Sequence, residues 1–501
     1  MKDFATGAVC LAVLGAGVMG RGIAQVALEG GMAVKLFDTQ TGAASRGRDF
    51  VADMLRRASQ RGRLPAAEAE AAIGRLSVVD SLSALADADV AIEAVVENLE
   101  VKRKLFAELE AVLPPTALIA SNTSSFRIAA IAAAANGKDR VGGMHFFNPV
   151  PLMKLVEVVA TPATRPEVAA AFMALGRRMG RVPVLVKDGP GFLVNLGGRA
   201  FTTEGLRLVQ DGIATPAQVD AVMRDACGFR MGPFELMDLT GIDVNFPASL
   251  AIWQGYFQDP RIQTFALHES LYVSGRFGRK SGLGHFAYDR DGNKQAPSAD
   301  AQVSAAPTKA AVLAEADPAL RNWLTERGWP VSTADDGQCP ILAAPWGEDA
   351  TAVSLRTGAD PRRLVCLDLA GDTGKRVTVM TAPGADLAVR DSAIARLAGA
   401  APVTAIHDSP GFIAQRILAM IANLGCEIAQ IGVASPADID TAMTLGLNYP
   451  RGPLALTDSL GAAKVLRILE NLQRITGEPR YRPSQWLRRR GLLGLPAATP
   501  D

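Results

Sequence analysis

The 501 residues carry 52 basic and 51 acidic side chains, a formal net charge of +1, with 49% hydrophobic and 21% charged residues. That length calls for several domains rather than one core, and the composition is that of a globular protein. The charge balance gives no support for nucleic acid or an anionic membrane as the main target. Five cysteines (Cys10, Cys227, Cys339, Cys366 and Cys426) are scattered and form no CxxC. They fit a reducing compartment, and neither a disulfide framework nor a metal site. The apolar run over 9–14 is too short to span a membrane and lacks a signal peptide's flanks, so it reads as a buried first strand in a cytoplasmic protein.

Gly15-Ala16-Gly17-Val18-Met19-Gly20 follows that strand and opens a helix over 18–29, then a second strand over 33–37 ending at Asp38. Gly15 permits the tight turn, Gly17 lets a pyrophosphate approach the backbone, and Gly20 lets the helix pack on the strand. The helix N-terminus, with Val18 and Met19, favours phosphate charge. Asp38 is placed to accept from a ribose diol and to repel a 2′-phosphate, which favours NAD over NADP. A glycine turn without ligand is the bland alternative.

The alternation continues with a strand over 88–97, a helix over 101–112, a strand over 117–122, a helix opened by Ser124, a strand over 141–147 and a helix over 165–179. This predicts a doubly wound, mostly parallel sheet, with ligands beyond the carboxyl ends of its strands. Glu97, Asn98, Ser121 to Ser125 and His145 to Asn148 all fall at such ends. Ser124 reads as a helix N-cap or as a hydroxyl facing the cleft. HFFNPVPLMKLVEV (145–158) reads as strand, turn and strand, which could return the Glu157 carboxylate to the His145 imidazole, a general-base design. A strand-end histidine beside an unrelated Glu is the alternative.

Residues 182–186 form an edge strand, and a helical region follows Asp188-Gly-Pro-Gly-Phe192. Three stretches recur with one offset of 220: Asp188 to Phe192 as Asp408 to Phe412, Ala214 to Asp220 as Ala434 to Asp440, and Gly232 to Asp238 as Gly452 to Asp458. A helical domain therefore occurs twice, although Asn195 becomes Gln415 in the second copy. Between the copies, a polar linker over 289–307 leads to a helix over 316–327 and strands over 340–344, 364–369 and 376–381. The expected partition is a Rossmann-type domain (1–187), an all-α domain (188–289), a linker with a small α/β packing module (290–403) and a second all-α copy (404–501).

In this order, GAGVMG, EAVVENLEVK, SNTSS, HFFNPVPLMKLVEV, DGPGFLVN, GPFELMDLTG and GRKSGLGHFAYD resemble the motifs of the L-3-hydroxyacyl-CoA dehydrogenases over residues 8–289. Residues 408–495 resemble a second copy of that family's C-terminal domain. The two-copy long form is similar to bacterial enzymes of phenylacetate breakdown that oxidise 3-hydroxyadipyl-CoA. The resemblance implies NAD-dependent oxidation of an L-3-hydroxyacyl-CoA thioester. It makes His145 the base, Glu157 its carboxylate partner, and Ser124 and Asn195 the groups holding the reacting oxygen. Glu97, Lys102, Asn148 and Lys280 would line the NAD site together with Asp38 and the glycine turn. It also places the CoA phosphates near the helix carrying Arg46, Arg48, Arg56, Arg57, Arg61 and Arg63, none assigned individually because a solvated face looks the same. In related short enzymes the C-terminal domains pair between subunits. The two copies here are expected to pair within one chain, with further homodimerisation left open. The alternatives are a 3-hydroxybutyryl-CoA dehydrogenase, an NAD-dependent sugar-acid dehydrogenase of the same plan, and a non-catalytic NAD-binding assembly protein.

Overall fold

Runs of aliphatic residues form eight strands: β1 (Cys10–Leu14), β2 (Ala33–Phe37), β3 (Leu76–Val79), β4 (Val90–Glu93), β5 (Leu118–Ser121), β6 (Val141–Phe146), β7 (Leu155–Ala160) and β8 (Val182–Lys187). In the computed structural model, which describes residues 2–501, they make one sheet in the order β3-β2-β1-β4-β5-β6-β7-β8. Neighbours run parallel except β6 and β7, whose antiparallel pairing sets His145 directly opposite Glu157. Pro183 falls on the outermost strand, where a missing N–H is tolerated. The strand order reverses beside β1, the place where such sheets leave a crevice at their carboxyl ends. The core beneath joins strand residues such as Leu11, Val13, Val90 and Ile92 to Ile23, Val26, Leu55 and Phe172 of the covering helices.

The strand read over 88–97 is confined to Val90–Glu93 and the helix read over 316–327 to Pro318–Glu326, and two helix starts beside the sheet also differ from the sequence reading. The helix after the SNTSS stretch begins at Ile128, not at Ser124. Asp188 takes the capping role, accepting from Ile128 N at 2.9 Å and Ala129 N at 2.8 Å. The helix read as starting at 101 begins at Leu99, because the Asn98 side chain accepts from Glu100 N and Val101 N.

The chain divides into two compact units, one running to Leu196 and including Ile431–Leu447, the other holding Gly197–Gln430 and Asn448–Asp501. In the second unit, Gly205 and Gly425 occupy matching places. A Cβ on Gly205 would strike Pro233, and one on Gly425 would strike Pro453, so each helix rests on the proline that opens a later one. The helices Arg199–Gln210 and Ile413–Gln430, one from each copy, pack together. Their interface buries a charged cluster: Glu204 accepts from Arg416 Nε (2.8 Å) and the Tyr481 hydroxyl (2.9 Å) and pairs with Arg480 (3.0 Å).

The intervening module repeats part of the first sheet. Its strands, Val312–Leu313, Ile341–Ala343, Leu364–Leu367, Val377–Met380 and Val403–Ile406, pair as parallel, parallel, antiparallel, parallel. That is the pattern of β4 to β8. The capping aspartate recurs too, with Asp408 accepting from Ala350 N and Thr351 N at the start of a helix. Each helical copy also reaches the other copy's sheet: Lys187 N donates to Val433 O (2.8 Å), and His407 N donates to Ile213 O (3.1 Å). This exchange is why Ile431–Leu447 belongs with the first sheet.

Candidate active site

The antiparallel turn between β6 and β7 brings the two predicted partners together. His145 Nδ1 lies 2.6 Å from Glu157 Oε2, with His145 only 5% exposed and Glu157 fully buried. The other carboxylate oxygen accepts from Leu193 N (3.0 Å) and Val194 N (2.8 Å). Those amides are aimed by the Gly191-Phe192 turn, where Phe192 holds a left-handed φ of 49°. Such a conformation is costly for a bulky residue and persists only where the surroundings enforce it. A carboxylate only accepts, so in the neutral imidazole the proton sits on Nδ1 and Nε2 keeps its lone pair. Phe147 and Phe192 flank the ring at centroid distances of 4.6 and 5.7 Å.

The other three histidines are set among different groups. His268 lies between Thr264 and Asn245, and His285 stacks edge-on against Phe234. Burial pushes each imidazole down to about 3, so both stay neutral at working pH. His407 Nδ1 bonds the Gly212 carbonyl. Among the described residues, His145 alone is paired with a carboxylate.

Around the glycine turn, a cleft of about 690 Å³ is lined by Gly15, Gly17, Asp38, Gln40, Val96 and Lys104. Gly15 has φ 100°, and a Cβ on Gly20 would drive into the Gly15 carbonyl, so both glycines are required by the turn. A Cβ on Gly17 would meet nothing, and no side chain caps the helix that Gly17 opens. Its first N–H groups are therefore available to an anion. Asp38 accepts from Ala16 N (2.7 Å) and Gln40 N (2.8 Å), which fixes its carboxylate at the end of β2. This donor and acceptor set fits NAD.

The remaining predicted residues separate. Lys102 does not reach open space: it is 1% exposed, bonded to Glu93 Oε1 (2.6 Å) and paired with Glu97 (3.1 Å). Glu97, the exposed member, also accepts from the Thr123 hydroxyl. The buried Glu93–Lys102–Ser121 cluster behind it was not read from the sequence; a Glu ending a strand and a Ser ending the next were its only traces. Ser124 is exposed, its hydroxyl 3.5 Å from that of Ser125. Asn195 is half-buried in the short helix Val194–Gly197. Lys280 belongs to the second unit, where it pairs with Asp243 at 2.5 Å.

Asn148 lines a second cleft of about 600 Å³ with Arg21, Phe50, Met54, Arg57, Arg61 and Arg63. The basic helix is thereby sorted. Arg48 and Arg56 are engaged by Asp49 and Glu70, and Arg46 faces the glycine-turn cleft. Arg57, Arg61 and Arg63 line the second cleft with no carboxylate partner among the described residues.

Two family models match the chain: the 3-hydroxyacyl-CoA dehydrogenase NAD binding domain over residues 10–189, and the C-terminal domain of the same enzymes over both 191–288 and 411–498. The chain belongs to the 3-hydroxyacyl-CoA dehydrogenase family. This dehydrogenase is 41% identical to the 3-hydroxyadipyl-CoA dehydrogenase of Escherichia coli K12, over 96% of its own length and 97% of the relative's. It is 38% identical to a probable 3-hydroxybutyryl-CoA dehydrogenase of Bacillus subtilis, over 55% of its length and 96% of the relative's. A crystal structure of 3-hydroxybutyryl-CoA dehydrogenase from Escherichia coli K12 matches it with a TM-score of 0.85 at 39% identity, covering 97% of this chain and 99% of that one. It is an NAD-dependent oxidoreductase acting on 3-hydroxyacyl-CoA. Among the described residues, no helix is long and apolar enough to cross a membrane.

The corresponding antiparallel pair of the intervening module carries none of this chemistry. Its paired positions are Cys366 with Met380 and Leu367 with Val379, all buried and carrying neither imidazole nor carboxylate. Gln415, standing where the first copy has Asn195, is buried and donates to the Pro345 carbonyl (3.0 Å) and to Asp368 Oδ1 (3.1 Å). Burial pushes the Asp368 carboxyl up to about 6, against hydrogen bonds from Ala370 and Gln415. A folded-state value above the ordinary 3.8 means that the native state loses stability as pH rises between the two. Asp368→Asn should therefore gain on the wild type by about 2 kcal/mol between pH 4 and pH 8. Melting temperatures of both proteins across that range check the difference; a pH-independent offset would exclude the buried acid as its source.

Proposed function

We propose that His145 Nε2 is the general base for the C3 hydroxyl of a 3-hydroxyacyl-CoA, and the His145–Glu157 pairing at 2.6 Å carries this reading. NAD⁺, when bound, supplies the hydride acceptor. Glu157 fixes the tautomer and stabilises the imidazolium formed when the hydroxyl proton arrives. Ser124 and Asn195 orient the reacting oxygen, where placement alone is worth orders of magnitude. Gly15, Gly17, Val18, Met19 and Gly20 hold the cofactor phosphates, Asp38 its ribose, and Glu97, set by Lys102 and Thr123, borders its nicotinamide end with Asn148. Arg57, Arg61 and Arg63 receive the CoA phosphates. Replacing Arg61 and Arg63 together with alanine should raise KM for the acyl-CoA at least tenfold, about 1.4 kcal/mol of lost binding. In the same steady-state assays, KM for NAD⁺ should move less than twofold.

The substrate we assign is 3-hydroxyadipyl-CoA, from the relative that matches nearly end to end. The solved relative and the short relatives favour 3-hydroxybutyryl-CoA as a second reading. NADH formation from these two thioesters, a longer 3-hydroxyacyl-CoA and free hydroxy acids separates the readings; activity on the free acids alone would overturn the thioester assignment. We further place the enzyme in the cytoplasm, supported by its five cysteines, none of which is in a disulfide. The four-part division at 187, 289 and 403 stands as a proposal. So does a pseudo-dimer of the two helical copies, supported by reciprocal ion pairs: Arg261 with Glu427 at 3.5 Å and Arg480 with Glu204 at 3.0 Å.

A further inference from the structure

We infer that the helix Pro436–Leu447, contributed by the second copy, is a positioning element for the His145–Glu157 pair of the first. This rests on the general-base reading above. The helix packs on β7 and β8, burying Ile439, Ala442 and Met443. Its approach is pinned by the Lys187 N to Val433 O bond at the end of β8. Near its C-terminus lies Gly446, where a Cβ would come within 3.0 Å of the Leu155 side chain and 3.1 Å of both Val194 methyls. Glycine is a poor helix residue, and here it allows the helix backbone to reach Val194. The Val194 amide is one of the two that hold Glu157 Oε1.

The line of contact is therefore short: Gly446 against Val194, Val194 N to Glu157, Glu157 to His145 Nδ1. The strained Phe192 turn, two residues upstream of Val194, needs surroundings that enforce it. The helix lies against the second residue after that strained position. In the second copy, where the base and its carboxylate are gone, Phe412 has no left-handed φ. The second copy thus serves the reaction without a catalytic residue of its own, by pressing on the hairpin of the first.

The exchange between the copies supplies a matched control. Ala226 stands 220 residues before Gly446 and lies against Gly371 of the module, its carbonyl accepting from Asp372 N at 2.8 Å. In the full-length enzyme, Gly446→Val should lower kcat at least tenfold with KM for NAD⁺ unchanged within twofold. Hydrogen exchange at the Leu193 and Val194 amides should accelerate at least tenfold. Ala226→Val should leave both readouts at wild-type values. Should Gly446→Val fail to fold, Gly446→Ala is read instead, with a threefold loss expected. Wild-type kcat and exchange in the Gly446 variant, or equal losses in the Ala226 variant, would overturn the inference. A wild type inactive on every 3-hydroxyacyl-CoA would sink the general-base reading alone, because the amide exchange still decides the positioning role.

Discussion

Replacing His145 with glutamine lowers kcat by about 10³-fold, within the range a positioned general base supplies, and leaves KM for the acyl-CoA nearly unchanged. The introduced amide can still bond Glu157 across the antiparallel pair, so the hairpin survives and the loss reports on chemistry. Glu157→Gln has a comparable effect for a different reason. The amide oxygen can keep the Leu193 and Val194 donors, which turns the NH₂ toward Nδ1. Nδ1 then has to accept, the ring proton moves to Nε2, and the base faces the substrate in the wrong tautomer. Both variants should keep the wild-type affinity for NADH, measured by fluorescence titration. Near-normal turnover in His145→Gln would remove His145 from the mechanism; near-normal turnover in Glu157→Gln would remove its tautomer from the argument.

The parts legible in the sequence were those whose signal is local. Strand–glycine turn–helix–strand–Asp38 is written in consecutive residues, and the structure returns it with the crevice at the switch point. His145 and Glu157 could be paired because a strand, a proline turn and a strand leave one antiparallel register. What could not be read depends on partners far apart in the chain. Ser124 has the composition of an N-cap, but Asp188 wins the helix start because a turn some sixty residues later delivers two oxygens to it. Lys102 looks like a ligand group until Glu93 and Glu97 surround it. The module's likeness to the first sheet was hidden because its strands are short. Only the order of pairings and the recurring aspartate cap give it away. The exchange of helices between copies has no sequence signature at all, since it is made of backbone bonds such as Lys187 N to Val433 O.

Glu204→Ala is the substitution with the largest expected effect on stability. Burial opposes ionisation of Glu204, yet Arg416, Arg480 and the Tyr481 hydroxyl outweigh it and hold the carboxyl below its ordinary value. A depressed folded-state value contributes stability above the unfolded carboxyl range, and that contribution is lost as pH falls through the folded value. Removing the carboxylate strands two buried guanidinium groups, Arg416 and Arg480, at 3% and 1% exposure. Breaking a buried pair in this way costs about 3–5 kcal/mol, which for a unit of this size lowers the melting temperature by on the order of 10 °C. The cluster joins helices from the two copies, so the loss should appear in the melting of the second unit and leave NADH affinity at the glycine-turn cleft intact. Replacing the whole cluster separates two explanations. Glu204→Leu with Arg416→Met and Arg480→Met leaves no charge unpaired, and should recover most of the lost stability if the penalty lies in the uncompensated guanidinium groups. A triple variant as unstable as Glu204→Ala would instead mean that the ion pairs contribute net attraction at this interface.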